Sequence, residues 1–202
     1  MFGTVLKRIY DAEIRLQPWM HIVVTKIFTD DVYDVILASL PKKHDMETFN
    51  AHRSFYWLVK DGEPVNGVDL FWQMLRAELF DNLAACLEAK FGIYGRSIGA
   101  ELIHDVPGYS IGPHTDTTDK AITGLFYLPD TGKYVDQGTV LYQCDTPDPR
   151  GKGHKFSDEY KPVTVVPYAP NTALFFPRTD LSFHGVKRTP VERWILAFDV
   201  FK

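Results

Sequence analysis

Cysteine is scarce in this chain, with only Cys86 and Cys144 among 202 residues, and no CxxC pair. A cysteine-built metal site is therefore not expected. Both residues read as buried thiols, although their spacing alone leaves a disulfide open. Long apolar runs are also missing. Nothing approaches the roughly 18 residues a membrane helix needs, and Lys7, Arg8, Asp11, Glu13 and Arg15 break up the start before any signal-like stretch can form. The expectation is a cytoplasmic protein without a membrane partner. There is no excess of positive charge either: 22 Lys and Arg stand against 26 Asp and Glu, a net charge of −4, which argues against nucleic acid as a partner. GxSxG, GxxxxGK[ST] and a strand-linked GxGxxG are all absent, so neither a serine-nucleophile elbow nor a phosphate-cradling loop is expected.

The composition that remains is that of a globular protein, 45% hydrophobic with 14 Phe, 10 Tyr and 4 Trp. The length suits one domain spanning 1–202. Texture divides it into a helical and extended part over 1–91 and a strand-rich part over 92–202. In the first part, Met20–Phe28 reads as a strand and Asp30–Leu40 as a helix. Asp69–Phe91 reads as a longer helix, with Phe71, Met74, Leu75, Leu79, Leu83 and Leu87 as its apolar stripe and Gly92 as its cap. In the second part, strands are expected over Gly95–Asp105, Ala121–Leu128, Gly138–Cys144, Pro162–Tyr168, Thr172–Phe176, Ser182–Lys187 and Arg193–Phe201. Short strands bounded by turns predict a mainly β, α+β fold built as a sandwich or barrel. The polar connection Asp145–Lys161 reads either as a lid or as a solvated hairpin loop.

Of seven histidines, His114 stands apart because Asp116 follows it by two. In an extended segment such side chains point to one face, so an imidazole and a carboxylate can converge on one ion. His184 supplies a possible third ligand from a distant strand. Two histidines and a carboxylate leave open positions on an octahedral ion, the facial arrangement of non-haem Fe(II) oxygenases, while zinc is the competing metal. Any one of these residues alone would be ordinary, HxD as a surface turn and His184 as a packed histidine. Arg193 follows His184 by nine positions and opens an apolar strand.

His114-Thr115-Asp116, His184 and Arg193 together resemble the Fe(II)- and 2-oxoglutarate-dependent oxygenases, in particular the prolyl-hydroxylase-like branch, over about residues 95–202. The resemblance implies a double-stranded β-helix core of jelly-roll, cupin-like shape. It also implies that His114, Asp116 and His184 bind Fe(II), and that Arg193 binds the far carboxylate of 2-oxoglutarate, with Arg188 as the fallback. Thr123 and Tyr127, four apart on one strand, would line the 2-oxoglutarate pocket. The implied reaction consumes O2 and releases succinate and CO2. The presence of Asp116 points to hydroxylation or another hydrogen abstraction rather than halogenation. Where relatives often carry an Arg-Tyr pair, this chain has His104-Asp105, so the family's upper contacts to cosubstrate or substrate are not matched, and His104 reads either as a supporting or substrate contact or, by preference, as an ordinary strand residue.

The substrate class stays open between a peptidyl side chain and a small molecule. Phe55, Tyr56, Trp57 and Trp72 are candidates for a groove, though most should be core. Two rival functions remain, a cupin-like metal-dependent hydrolase or isomerase and a non-catalytic β-sandwich binding module. The hydrolase leaves Arg193, Thr123 and Tyr127 without a purpose.

Overall fold

Residues 2–149, 151 and 156–202 are described by the computed structural model. The chain runs through helix α1 (Gly3–Asp11), strand β1 (Ile22–Thr25), helix α2 (Asp30–Ala38) and strands β2 (Glu47–Asn50), β3 (Arg53–Lys60) and β4 (Glu63–Pro64). Helices α3 (Leu70–Leu75) and α4 (Asp81–Phe91) follow, joined by a π-helical turn over Arg76–Phe80. Then come β5 (Ser97–Asp105), β6 (Ile111–His114), β7 (Lys120–Tyr127), β8 (Thr139–Gln143), β9 (Lys161–Val166), β10 (Thr172–Pro177), β11 (His184–Val186) and β12 (Arg193–Phe201).

These strands form two antiparallel sheets. The larger runs β1-β10-β7-β12-β5-β3-β2, with β4 paired to β3, and the smaller runs β6-β11-β8-β9. This is the mainly β architecture with flanking helices that the sequence suggests. The expected strands of the second part all appear, most of them trimmed by a residue or two. Two expectations need correction. The strand expected over Met20–Phe28 is confined to Ile22–Thr25, preceded by an isolated bridge between His21 and Arg15. The first part also does more than support a core made elsewhere, because β1 pairs with β10 and β3 pairs with β5 in the larger sheet.

The helical stretch after Asp69 packs on the outer face of the large sheet. The Asp69 carboxylate accepts the Phe71 amide at 2.8 Å as an N-cap, and Gly92 ends α4 at φ +69°, where a side chain would be strained. Leu75, Leu79, Leu83 and Leu87 are buried, whereas Met74 turns to solvent. Their strict four-residue spacing overshoots the 3.6-residue turn of an α-helix, and the wider π turn takes up the excess. Phe80 then meets Phe198 at 5.3 Å. Among the described residues, no helix is long and apolar enough to cross a membrane. Both cysteines are free thiols; Cys144 is buried, and Cys86 only half-buried. Of the connection read as a lid, residues 150 and 152–155 lie outside the described residues.

Candidate active site

His114 closes β6 and His184 opens β11, and the two are direct partners across the antiparallel pair. Their side chains therefore leave one face of the smaller sheet, with ring centres 4.3 Å apart. Residue 185 has to be small for this pairing, since a Cβ there would stand 2.7 Å from the Ile111 carbonyl oxygen. Asp116 lies two residues past the end of β6, in the connection to β7. Asp116 Oδ1 is 3.8 Å from His184 Nε2. One ligand atom from each of the three residues lies within 4.8 Å of the other two.

Each imidazole is aimed by its own backbone. His114 Nδ1 lies 2.9 Å from the Gly112 carbonyl, and His184 Nδ1 lies 3.0 Å from the Ser182 carbonyl. A carbonyl can only accept, so both Nδ1 atoms carry the proton and both Nε2 lone pairs are left for a cation. Burial, followed by the neighbouring His184, lowers His114 to about 4. Burial would raise Asp116, but Lys120, the two histidines and the Thr123 hydroxyl outweigh it and hold this carboxyl well below the usual range. An ionised carboxylate beside a His114 imidazole that stays neutral down to about 4 forms a donor set suited to a divalent ion.

Thr123 donates to Asp116 Oδ2 at 2.8 Å. Lys120 Nζ lies 2.7 Å from Asp199 Oδ2 and 3.9 Å from Asp116 Oδ1. Burial disfavours the Lys120 charge, but Asp199 and Asp116 more than compensate and raise its pKa. From behind, Arg178 Nε donates to the Asp116 carbonyl at 3.1 Å and fixes the turn.

The three residues open onto a cavity of about 150 Å³ between the sheets. Its floor is the inner face of the large sheet, arranged in cross-strand rows. One row holds Arg193, Asp105 and Arg53; the next holds Tyr127, Ile195, Ile103 and Phe55; a third holds Leu125, Ala197, Glu101 and Trp57. The last pairs Thr123 with Asp199, beside Asp116. The Arg193 row and the histidine end are thus at opposite ends of the cavity.

Arg193 is buried, and its Nη1 lies 3.3 Å from Asp105 Oδ2. Arg53 grips the same carboxylate with two bonds of 2.6 and 2.9 Å. Two guanidinium groups sharing one carboxylate leave one positive charge uncompensated, and Arg193 Nε has no hydrogen-bond partner among the described residues. Arg188 is exposed and does not line the cavity. Tyr127 and Thr123 do line it, but the Tyr127 hydroxyl donates to Thr139 Oγ1 at 2.7 Å and the Thr123 proton goes to Asp116. His104 faces away, stacked 4.4 Å from Trp194. Of the aromatic candidates, Phe55 lines the cavity and Trp72 is core.

Sequence reasoning missed Arg53, Glu101, Asp105, Lys120, Arg178 and Asp199. Glu101 and Asp199 carried a usable signal, because each is a carboxylate inside an otherwise apolar strand, GAELI and LAFDVF, where charge is rare unless it has a task. Arg53 carried none, since its importance depends on its register opposite Asp105.

No family model matches the chain, and no curated protein matches its sequence. Solved structures do match. A prolyl-4-hydroxylase from Pseudomonas putida is 12% identical with a TM-score of 0.65, covering 100% of this chain and 99% of that one. An oxidoreductase of the 2OG-Fe(II) oxygenase family from Burkholderia pseudomallei is 15% identical at TM-score 0.59, covering 90% and 84%. The epimerase SnoN, in complex with Fe3+, α-ketoglutarate and nogalamycin RO, is also 15% identical at TM-score 0.59, covering 98% and 82%. The chain has the double-stranded β-helix fold of the 2-oxoglutarate- and Fe(II)-dependent oxygenases.

Proposed function

We propose that this protein is an Fe(II)- and 2-oxoglutarate-dependent dioxygenase, a hydroxylase acting on a peptidyl or small-molecule substrate. The observation that carries this reading is the pairing of two complementary ends in one cavity. Two imidazoles converging beside an ionised carboxylate suit a divalent metal. At the far end, the surplus guanidinium charge and the unpartnered Arg193 Nε suit a carboxylate. His114 Nε2, Asp116 and His184 Nε2 would hold the iron, and Arg193 would bind the distal carboxylate of 2-oxoglutarate. Bound together, the metal and the keto acid supply O2 activation coupled to decarboxylation to succinate and CO2.

The chain's own residues supply orientation and charge. Thr123 holds the Asp116 carboxylate, and Tyr127 and Thr139 form a polar wall between apolar neighbours. Ile103, Leu125 and Ile195 keep the middle of the cavity dry, which strengthens the pairing at both ends. Anaerobic titration of the Fe(II)-loaded protein with 2-oxoglutarate tests the reading. A weak visible charge-transfer band should grow in the wild type and be lost in His114→Ala. Bound metal without that band would favour the hydrolase or binding-module alternative.

A further inference from the structure

The mechanism above leaves two carboxylates unused, the buried Asp199 and the half-buried Glu101. Asp199 is 3% exposed and lines the cavity; Lys120 serves its Oδ2, but its Oδ1 has no hydrogen-bond partner among the described residues. Thr123 stands beside it and cannot help, because its single proton is given to Asp116. Glu101 faces the same space from β5, diagonally across from Asp199, and its direct cross-strand neighbour is the small Ala197. Among the described residues Glu101 makes no hydrogen bond or ion pair. Its carboxyl is pushed up to about 7, first by burial and then by the charge of Asp199.

Buried charge is costly unless paired. With Asp116 assigned to the metal and Glu101 ionised, Glu101 and Asp199 face one ammonium, that of Lys120, which leaves this end of the cavity one positive charge short. The far end has the opposite imbalance. An aromatic wall, Phe55, borders the space, and such a face also favours a cation.

We propose that the metal end of the cavity binds an organic cation, the ammonium or guanidinium group of the substrate, between Asp199 Oδ1 and the Glu101 carboxylate. The inference deepens the oxygenase reading and rests on it only for the word substrate. It narrows the open substrate class to molecules that place a basic nitrogen near the oxidised carbon.

Calorimetry and thermal melting on protein loaded with Ni(II) and 2-oxoglutarate, a non-turnover form, provide the test. n-Butylammonium and n-butylguanidinium should bind and raise the melting temperature further, while neutral n-pentanol and anionic butyrate should not. Free lysine and arginine, compared with the same side chains within tripeptides, distinguish a metabolite from a peptide source. Glu101→Gln and Asp199→Asn should each weaken cation binding on the order of tenfold or more while keeping the shift caused by metal and 2-oxoglutarate. Should Asp199→Asn fail to fold, Glu101→Gln carries the test alone. Equal binding of the neutral probe, unchanged cation affinity in the variants, or no cation binding to protein that takes up metal and 2-oxoglutarate would each overturn the proposal. Cation binding without any 2-oxoglutarate response would overturn the oxygenase reading instead and leave the cation site standing.

Discussion

Strands β5 and β12 carry Ala100, Leu102, Leu196, Phe198 and Val200 on one face, all buried against the helices, and Glu101, Asp105, Arg193 and Asp199 on the other. The backbone is shared, and alternation alone separates the two sets. The helix side follows the rules of a core, with aliphatic and aromatic groups in close packing and its few polar atoms paired, as Tyr33 is to the Pro129 carbonyl and Trp72 to that of Ser39. The cavity side places charge at comparable depth, which is tolerated because Arg53, Lys120 and Arg193 offset most of it. A single strand pair thus provides both the wall that holds the fold and the floor of the site.

Substitutions on opposite faces should separate stability from binding. His184→Ala should abolish metal binding, measured by equilibrium dialysis, with only a small change in melting temperature for the metal-free protein. Phe198→Ala should do the reverse. Its loss from the contact with Phe80 should cost about 3–5 kcal/mol in denaturant unfolding, while the protein that remains folded still binds metal at the same stoichiometry. If Phe198→Ala altered metal affinity strongly, the two faces would not be independent.

A smaller effect is expected at the cationic row. Arg193→Ala should weaken 2-oxoglutarate binding on the order of a hundredfold without changing metal affinity, since Arg193 is remote from the histidines. Intact 2-oxoglutarate affinity would return Arg188 to consideration. The smallest effect is a pH slope. His114 is neutral in the folded protein down to about 4, whereas in the unfolded chain it takes its proton near 6.5. Between those values the unfolded state binds more protons, so stability present above 6.5 should decline as pH falls toward 4. Asp116, held below its usual range, adds a loss of the same sign at still lower pH. Melting curves of metal-free protein should show this decline, and His114→Gln should flatten it.

Much of this was legible in the sequence because it depends on local rules. The Asp69 cap, the Gly92 stop and the leucine stripe define the long helical stretch, and β-branched runs between turn residues define the strands of the second part. His114, Asp116 and His184 stood out by spacing together with family resemblance. The hairpin of β2 and β3 was not legible: Phe55-Tyr56-Trp57-Leu58-Val59 has no alternation of polarity, and its partner β5 lies some forty residues away in the chain. With that strand went Arg53, and with Arg53 the charge balance of the cationic row. Thr123 lines the cavity, as its strand face suggests, but its hydrogen bond to Asp116, in the connection before β7, was not legible.

The two histidines owe their aim to carbonyls two residues upstream on their own chain segments, Gly112 and Ser182. Of the large sheet, Phe176 packs against the His184 ring, 4.8 Å between centres, while neither imidazole hydrogen-bonds to Glu101, Phe55 or Ala197 among the described residues. The large sheet can therefore exchange Glu101, Phe55 or Ala197 for other side chains over evolutionary time, or at a designer's bench, and meet a new substrate while the imidazoles keep their bearing. The imidazoles hang from the small sheet and the floor of the cavity from the large one.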